Sequence, residues 1–149
     1  MNSFTKVKLF LFELMEEKFT YNKQEKLKSR KLIGSVFGSG KSFLQFPVKV
    51  TYLISKDTLD FPIKVGVGVS TRYFKKAVDR NRVKRLLREC YRHNKHPLLK
   101  YCLEKNVQVA VFFLYVDKQL PEFGALQFNI QIILVKLIER IEKQLIFDN

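Results

Sequence analysis

The stretch IKVGVGVSTRYFKKAVDRNRVKRLLRECYR, residues 63–92, changes its periodicity halfway along, and that change decides the fold. From Ile63 to Ser70 the residues alternate. Ile63, Val65, Val67 and Val69 face one way and Lys64, Gly66, Gly68 and Ser70 the other, which is the period of a strand. From Asp79 onward Val83, Leu86, Leu87 and Cys90 recur at i, i+3, i+4 and i+7, the spacing of a helix with one buried stripe. VQVAVFFLY at 107–115 then reads as a near-continuous buried strand. Strand, helix, strand predicts a crossover between parallel strands, for which chain physics alone favours the right-handed sense.

Working outward, FPVKVTYLI at 46–54 alternates, with Val48, Val50, Tyr52 and Ile54 on one side and Lys49 and Thr51 on the other. LKSRKLIGSVFGSGKS at 27–42 predicts a short first helix. Ser29 is its N-cap, Leu32, Ile33, Val36 and Phe37 form its apolar side, and Gly38 and Gly40 stop it. GALQFNIQIILVKLIERIEKQ at 124–144 predicts a closing helix with Leu126, Ile130, Ile133, Leu134, Leu137 and Ile141 on one stripe. The class is a layered α+β or α/β sandwich.

The chain has 149 residues, 46% hydrophobic and 13% aromatic, enough apolar surface for one domain with its own core. Residues 1–18 are expected as an N-terminal extension ahead of a domain spanning 19–149, with Met15 an alternative start. The apolar run near the N-terminus is broken by Glu13 and followed by Glu16 and Glu17, so it does not read as a signal peptide, and no window reaches a spanning length. Two cysteines, Cys90 and Cys102, are too few for a disulfide framework; a reducing cytoplasm is expected.

A net charge of +14 exceeds what solubility needs and implies a polyanionic partner. Half of that excess lies between Arg72 and Arg92, where nine basic residues face Asp79 and Glu89. Opposite the apolar stripe of this helix stand Asn81, Lys84, Arg85, Arg88 and Arg92. Arg85 with Glu89 is the one i,i+4 pair of favourable sign, while Lys84/Arg88 and Arg88/Arg92 repel, so helix stability does not account for the face. Asp79 is read as the N-cap. The stripe is too narrow for a membrane surface, and arginine offers planar bidentate contacts to phosphate, which favours nucleic acid. Glycines on one side of 63–70 leave room for a visitor, either a packing helix or an extended nucleic-acid strand.

Some chemistry is missing. GSGKS at 38–42 lacks the first glycine of a phosphate loop, since position 35 is Ser35. Cys90, His93, His96 and Cys102 have the composition of a zinc set, but Cys90 belongs to the core stripe and Pro97 interrupts the helix between the halves. The 14 acidic residues show no grouping suited to a metal nuclease.

DRNRVKRLLRECYR at 79–92, preceded by the VGVGVS strand and a short basic loop, resembles the signature of the bacterial ribonuclease P protein subunit. In that family an RNR tripeptide opens a basic helix, and Arg80, Asn81 and Arg82 match it. The resemblance covers roughly Leu27 to Lys143. It implies a single-domain α+β sandwich of order αβββαβα, with a left-handed β-α-β crossover, similar to the second domain of a small-subunit ribosomal protein. It implies that Arg80, Asn81, Arg82, Lys84, Arg85, Arg88 and Arg92 contact the RNA subunit. A cleft between the first helix and the sheet is expected to hold the 5′ leader of precursor tRNA. Phe37 matches a family aromatic there, Lys64 and Ser70 come from the open strand face, and Arg72 lies in the basic loop that follows. Ile33 stands where the family often has another aromatic, and the loop from Thr71 to Lys76 is one residue longer than in many members. The implied activity is endonucleolytic removal of the leader. Catalysis and magnesium are expected mainly in the RNA subunit, with no tightly bound cofactor and no catalytic residue in the protein. The expected partners are ribonuclease P RNA and precursor tRNA, with no membrane and no required protein partner. A ribosomal or RNA-chaperone module and a self-sufficient metal nuclease are the competing readings.

Overall fold

The structure, a computed structural model, describes residues 23–55, 59 and 61–148. The expected extension 1–18 and Met15 lie outside the described residues. A 3-10 turn, Lys23–Glu25, leads into α1 (Arg30–Ser39), then β1 (Lys41–Gln45), β2 (Val48–Ile54) and β3 (Ile63–Val69). After these come α2 (Ala77–Asn94), α3 (His96–Lys105), β4 (Val109–Tyr115) and α4 (Phe123–Asp148). The order is the expected one with α3 added. Pro97 lies at the start of α3, where its missing N–H would have had no helical partner in any case, so it begins a helix as readily as it ends one.

The sheet runs β1-β2-β4-β3, with β1 and β2 antiparallel, β2 and β4 antiparallel, and β3 parallel to β4. Its handedness follows from one hydrogen bond. The Val109 N–H donates to the Pro62 carbonyl on the β3 side at 2.9 Å, while the Val109 side chain is buried in the core that contains α2 and α4 residues. In a strand of L-residues seen from its side-chain face and running upward, amide and carbonyl point right. Hence β3 lies to the right of β4, and the chain passes through α2 and α3 in front of the sheet and moves left. The crossover is left-handed, against the usual sense.

One face of the sheet and the helices α2, α3 and α4 enclose the main core. Val48, Val50, Ile63, Val65, Val109, Val111 and Phe113 meet Val83, Leu87 and the α4 stripe Leu126, Ile130, Ile133, Leu134, Leu137 and Ile141, all of them buried. Each fully buried side chain of this size contributes roughly 1.5–3 kcal/mol. On the other face α1 covers β2 and β4 only partly, through a small cluster of Leu27, Val36 and Ala110 edged by Leu32, Ile33, Leu53 and Phe112. Ser29 caps α1 as expected, its side chain accepting the Leu32 N–H at 3.3 Å. Gly40 ends the helix for a steric reason: a Cβ there would overlap the Val36 carbonyl oxygen and lie 2.7 Å from that of Tyr52.

The third strand ahead of α2, which periodicity did not locate, is the short β1 pairing Phe43 with Val50. Before β3's partner strands close, residues 26 and 27 reach its other side. The Leu27 N–H donates to the Val65 carbonyl at 3.0 Å, so this segment straps the outer edge of β3. Glu25, fully buried, accepts from Lys95 Nζ at 2.5 Å, and Lys95 is fully buried as well. A pair 70 residues apart in sequence thus ties the strap to the junction of α2 and α3. Burial pushes the Lys95 ammonium below its ordinary pKa, against the opposing pull of Glu25.

Candidate nucleic-acid interface

Helix α2 is anchored by Val83, Leu87, Cys90 and Tyr91, all buried, with Leu86 partly so. Burial, helped by the Glu89 charge, pushes the Cys90 thiol up to about 11, so it is a protonated core side chain at neutral pH. The opposite face projects Asn81, Arg82, Arg85 and Arg88 into solvent, with Lys84 partly covered. Two of the expected RNA-facing arginines spend donors on the protein itself. Arg80 Nη1 donates to the Phe74 carbonyl at 2.9 Å and the Lys75 carbonyl at 2.6 Å, stitching the incoming loop to the first turn. Arg92 Nη2 donates to Glu89 at 2.6 Å, which holds the Glu89 carboxyl below its ordinary pKa.

Two expectations are corrected here. Glu89 pairs with Arg92 at i+3 rather than with Arg85 at i−4. Asp79 is not the N-cap: the helix begins at Ala77 with Lys76 at the cap position and no side-chain cap bond. The Arg80 side chain organises the residues before the helix instead, and Asp79 sits in the first turn, where its charge complements the macrodipole.

Around the sheet, on its α1 side, the visitor to the glycine face of β3 is an aromatic ring of the protein. A Cβ on Gly66 would lie 2.9 Å from Phe112 Cδ2, and one on Gly68 2.8 Å from Phe112 Cζ, so the ring lies flat across both glycines. Phe37, 53% exposed at the end of α1, stands edge-on to Phe112 with centroids 5.0 Å apart. The pair forms an aromatic ledge over the half-buried glycine face of β3. Gly66→Ala is expected to displace the Phe112 ring and cost about 1–3 kcal/mol, read by chemical denaturation. An unchanged midpoint would mean the ring moves freely.

The four leader-cleft candidates form a line, not a cluster. Lys64 lies near the start of β3 and Ser70 one residue past its end, six residues and hence roughly 20 Å apart along extended chain. Phe37 stands beside the middle of that line, against Phe112. Ser70 ends it, its hydroxyl accepting the Arg72 N–H at 3.3 Å, and the exposed Arg72 guanidinium lies 5.7 Å from the Tyr73 ring centre. A line of this length suits an extended strand of nucleic acid better than a compact ligand.

At the strapped outer edge of β3 the two surfaces meet. A hollow of about 370 Å³ is lined by Lys26, Lys28, Ile33, Gly66 and Phe112 from one side and by Arg88 of α2 from the other. Sequence reasoning assigned Arg88 to the helix face alone and did not single out Phe112. The signal for Phe112 was present: if Phe113 enters the core, its neighbour must face the other side of the sheet, where Gly66 pairs with it in register. The strap lysines were missed because they precede the Ser29 cap and so belong to neither the helix nor a strand.

A sequence profile of the family described as Ribonuclease P matches residues 21–126. The chain is 36% identical over 119 residues to the ribonuclease P protein component of Porphyromonas gingivalis, covering 80% of this chain and 87% of that protein. It is 35% identical over 115 residues to the one from Chlorobium phaeobacteroides, covering 70% and 79%. Among solved structures, the ribonuclease P protein from Thermotoga maritima superposes with a TM-score of 0.57 at 22% identity, covering 74% of this chain and 94% of that one. The Staphylococcus aureus protein gives 0.55 at 17% identity, covering 76% and 94%; both likenesses support the fold.

Proposed function

This chain belongs to the ribonuclease P protein family, and on that premise we propose that it grips the catalytic RNA through α2 while guiding the 5′ leader of precursor tRNA along β3. The relatives are components of an endoribonuclease ribonucleoprotein that processes tRNA, which fixes the activity class. The finer division of labour rests on one observation: a face of exposed arginines and a half-buried aromatic ledge on β3 lie on opposite faces of the sheet and meet at the edge of β3.

Each part has a physical role. Arg82, Arg85 and Arg88 sit on a helix whose back is fixed in the core, so binding costs little side-chain anchoring and each guanidinium can take a phosphate bidentately. The aromatic ledge of Phe37 and Phe112 offers a stacking platform for a base, worth about 1–3 kcal/mol per base. Magnesium is assigned to the RNA subunit, where the family resemblance places catalysis. The protein then contributes orientation and charge neutralisation. Among the described residues no helix is long and apolar enough to cross a membrane.

The test compares precursor and mature tRNA. Phe37→Ala is expected to weaken holoenzyme binding of leader-bearing tRNA by roughly tenfold, the loss of one stacking contact, and to leave mature tRNA unchanged. Equal weakening of both would place Phe37 in the packing of α1 against the sheet and remove it from the leader path.

A further inference from the structure

The segment KQEKLKSRK, residues 23–31, carries five cations and one carboxylate, and the structure turns that carboxylate inward. Glu25 is fully buried on Lys95. What remains on the outside is uniformly basic. Three attachments hold the segment in place: the Glu25–Lys95 pair, the Leu27 N–H to the Val65 carbonyl at 3.0 Å, and the Ser29 cap on α1. Lys23, Lys26 and Lys28 therefore sit on a fixed strap, not on a loose tail. Together with Lys64 of β3 they line a hollow of about 250 Å³ in which none of the described lining residues is acidic.

Lys23 and Lys28 are both exposed on the strap, and like charges on one segment do nothing for folding, a close pair costing a few tenths of a kcal/mol. Packing does not explain them either: Lys23 and Lys28 are exposed, and among the described residues only Leu32 supplies an apolar wall between them. The hollow adjoins the larger one at the edge of β3 through Lys26 and Lys28, which line both. A strand of RNA lying on the aromatic ledge and continuing toward the start of β3 would run into it. We propose that this hollow binds a backbone phosphate of single-stranded RNA, held by Lys23 and Lys28 with Lys64, and that the strand is the part of the leader extending beyond the open face of β3. The inference rests on the leader-guiding role argued above and adds a second contact, remote from the aromatic ledge.

The experiment uses the reconstituted holoenzyme with two precursor tRNAs, one with a leader just long enough to cover the ledge and one extended well past it. For Lys23→Ala/Lys28→Ala, KM for the long leader is expected to rise about tenfold, with kcat unchanged, and its salt dependence to flatten by about 0.7 per lost phosphate contact. The short leader is expected to be cleaved as by the unmodified protein, and Lys23→Arg/Lys28→Arg to restore the long-leader KM. Equal loss on both substrates would overturn the proposal and move the contact to the RNA subunit or the tRNA body. No loss on either would overturn it too. Failure of the unmodified protein to promote cleavage of any precursor is a different result, and it would defeat the leader-guiding role itself.

Discussion

Replacing Lys95 with methionine is expected to lower the unfolding free energy by about 3–5 kcal/mol, because it leaves the Glu25 carboxylate buried without its partner. Glu25→Leu alone is expected to cost as much for the converse reason. The double variant Glu25→Leu/Lys95→Met removes both charges and is expected to recover most of the loss, since a buried pair is weak net stabilisation but a buried orphan is expensive. Urea titration of the four proteins measures this as a double-mutant cycle with a large coupling energy. Additive losses would mean the two side chains reach solvent or other partners when separated. The pair's use is positional: it sets where the strap crosses the β3 edge, and with it the start of α1.

The second large effect concerns the arginine face. Arg82→Ala/Arg85→Ala is expected to weaken binding of the RNA subunit by about 2–4 kcal/mol and to flatten the dependence of log K on log salt by about one unit per lost contact. Stability is expected to stay within about 0.5 kcal/mol, because both side chains are exposed and the helix back is untouched. Arg80→Ala is expected to behave differently, losing stability as well as affinity, since it frees the Phe74 and Lys75 carbonyls. A double variant with wild-type affinity and slope would move the RNA interface off α2.

Much of this architecture is legible in the sequence where periodicity is strong. The alternation of 63–70, the stripe of Val83, Leu87 and Cys90, and the α4 stripe all appear as read, because each reports a local geometry with one buried face. What escapes is non-local. Nothing near Gly66 announces that the Phe112 ring will lie on it, and nothing near Lys95 announces a partner at residue 25. Helix α3 escapes for another reason: Pro97 has the same local meaning at the end of one helix and at the start of the next. The handedness of the crossover ran against the physical default and was legible only through the family resemblance. For the site, the arginines were countable but their commitments were not, and Arg80 and Arg92 show why: a guanidinium that holds a loop or a glutamate looks identical in sequence to one that faces solvent.

The central claim, that this protein enables a catalytic RNA to process tRNA, is tested most directly by an omission experiment. Purified protein, a bacterial ribonuclease P RNA and labelled precursor tRNA are combined at low magnesium, where the RNA alone is weak, and each component is left out in turn. Correct 5′ cleavage that requires both protein and RNA is the predicted result. Binding of the RNA without any gain in cleavage would contradict it and make this chain an RNA-binding module, and cleavage by the protein alone would place the catalytic groups in the protein itself.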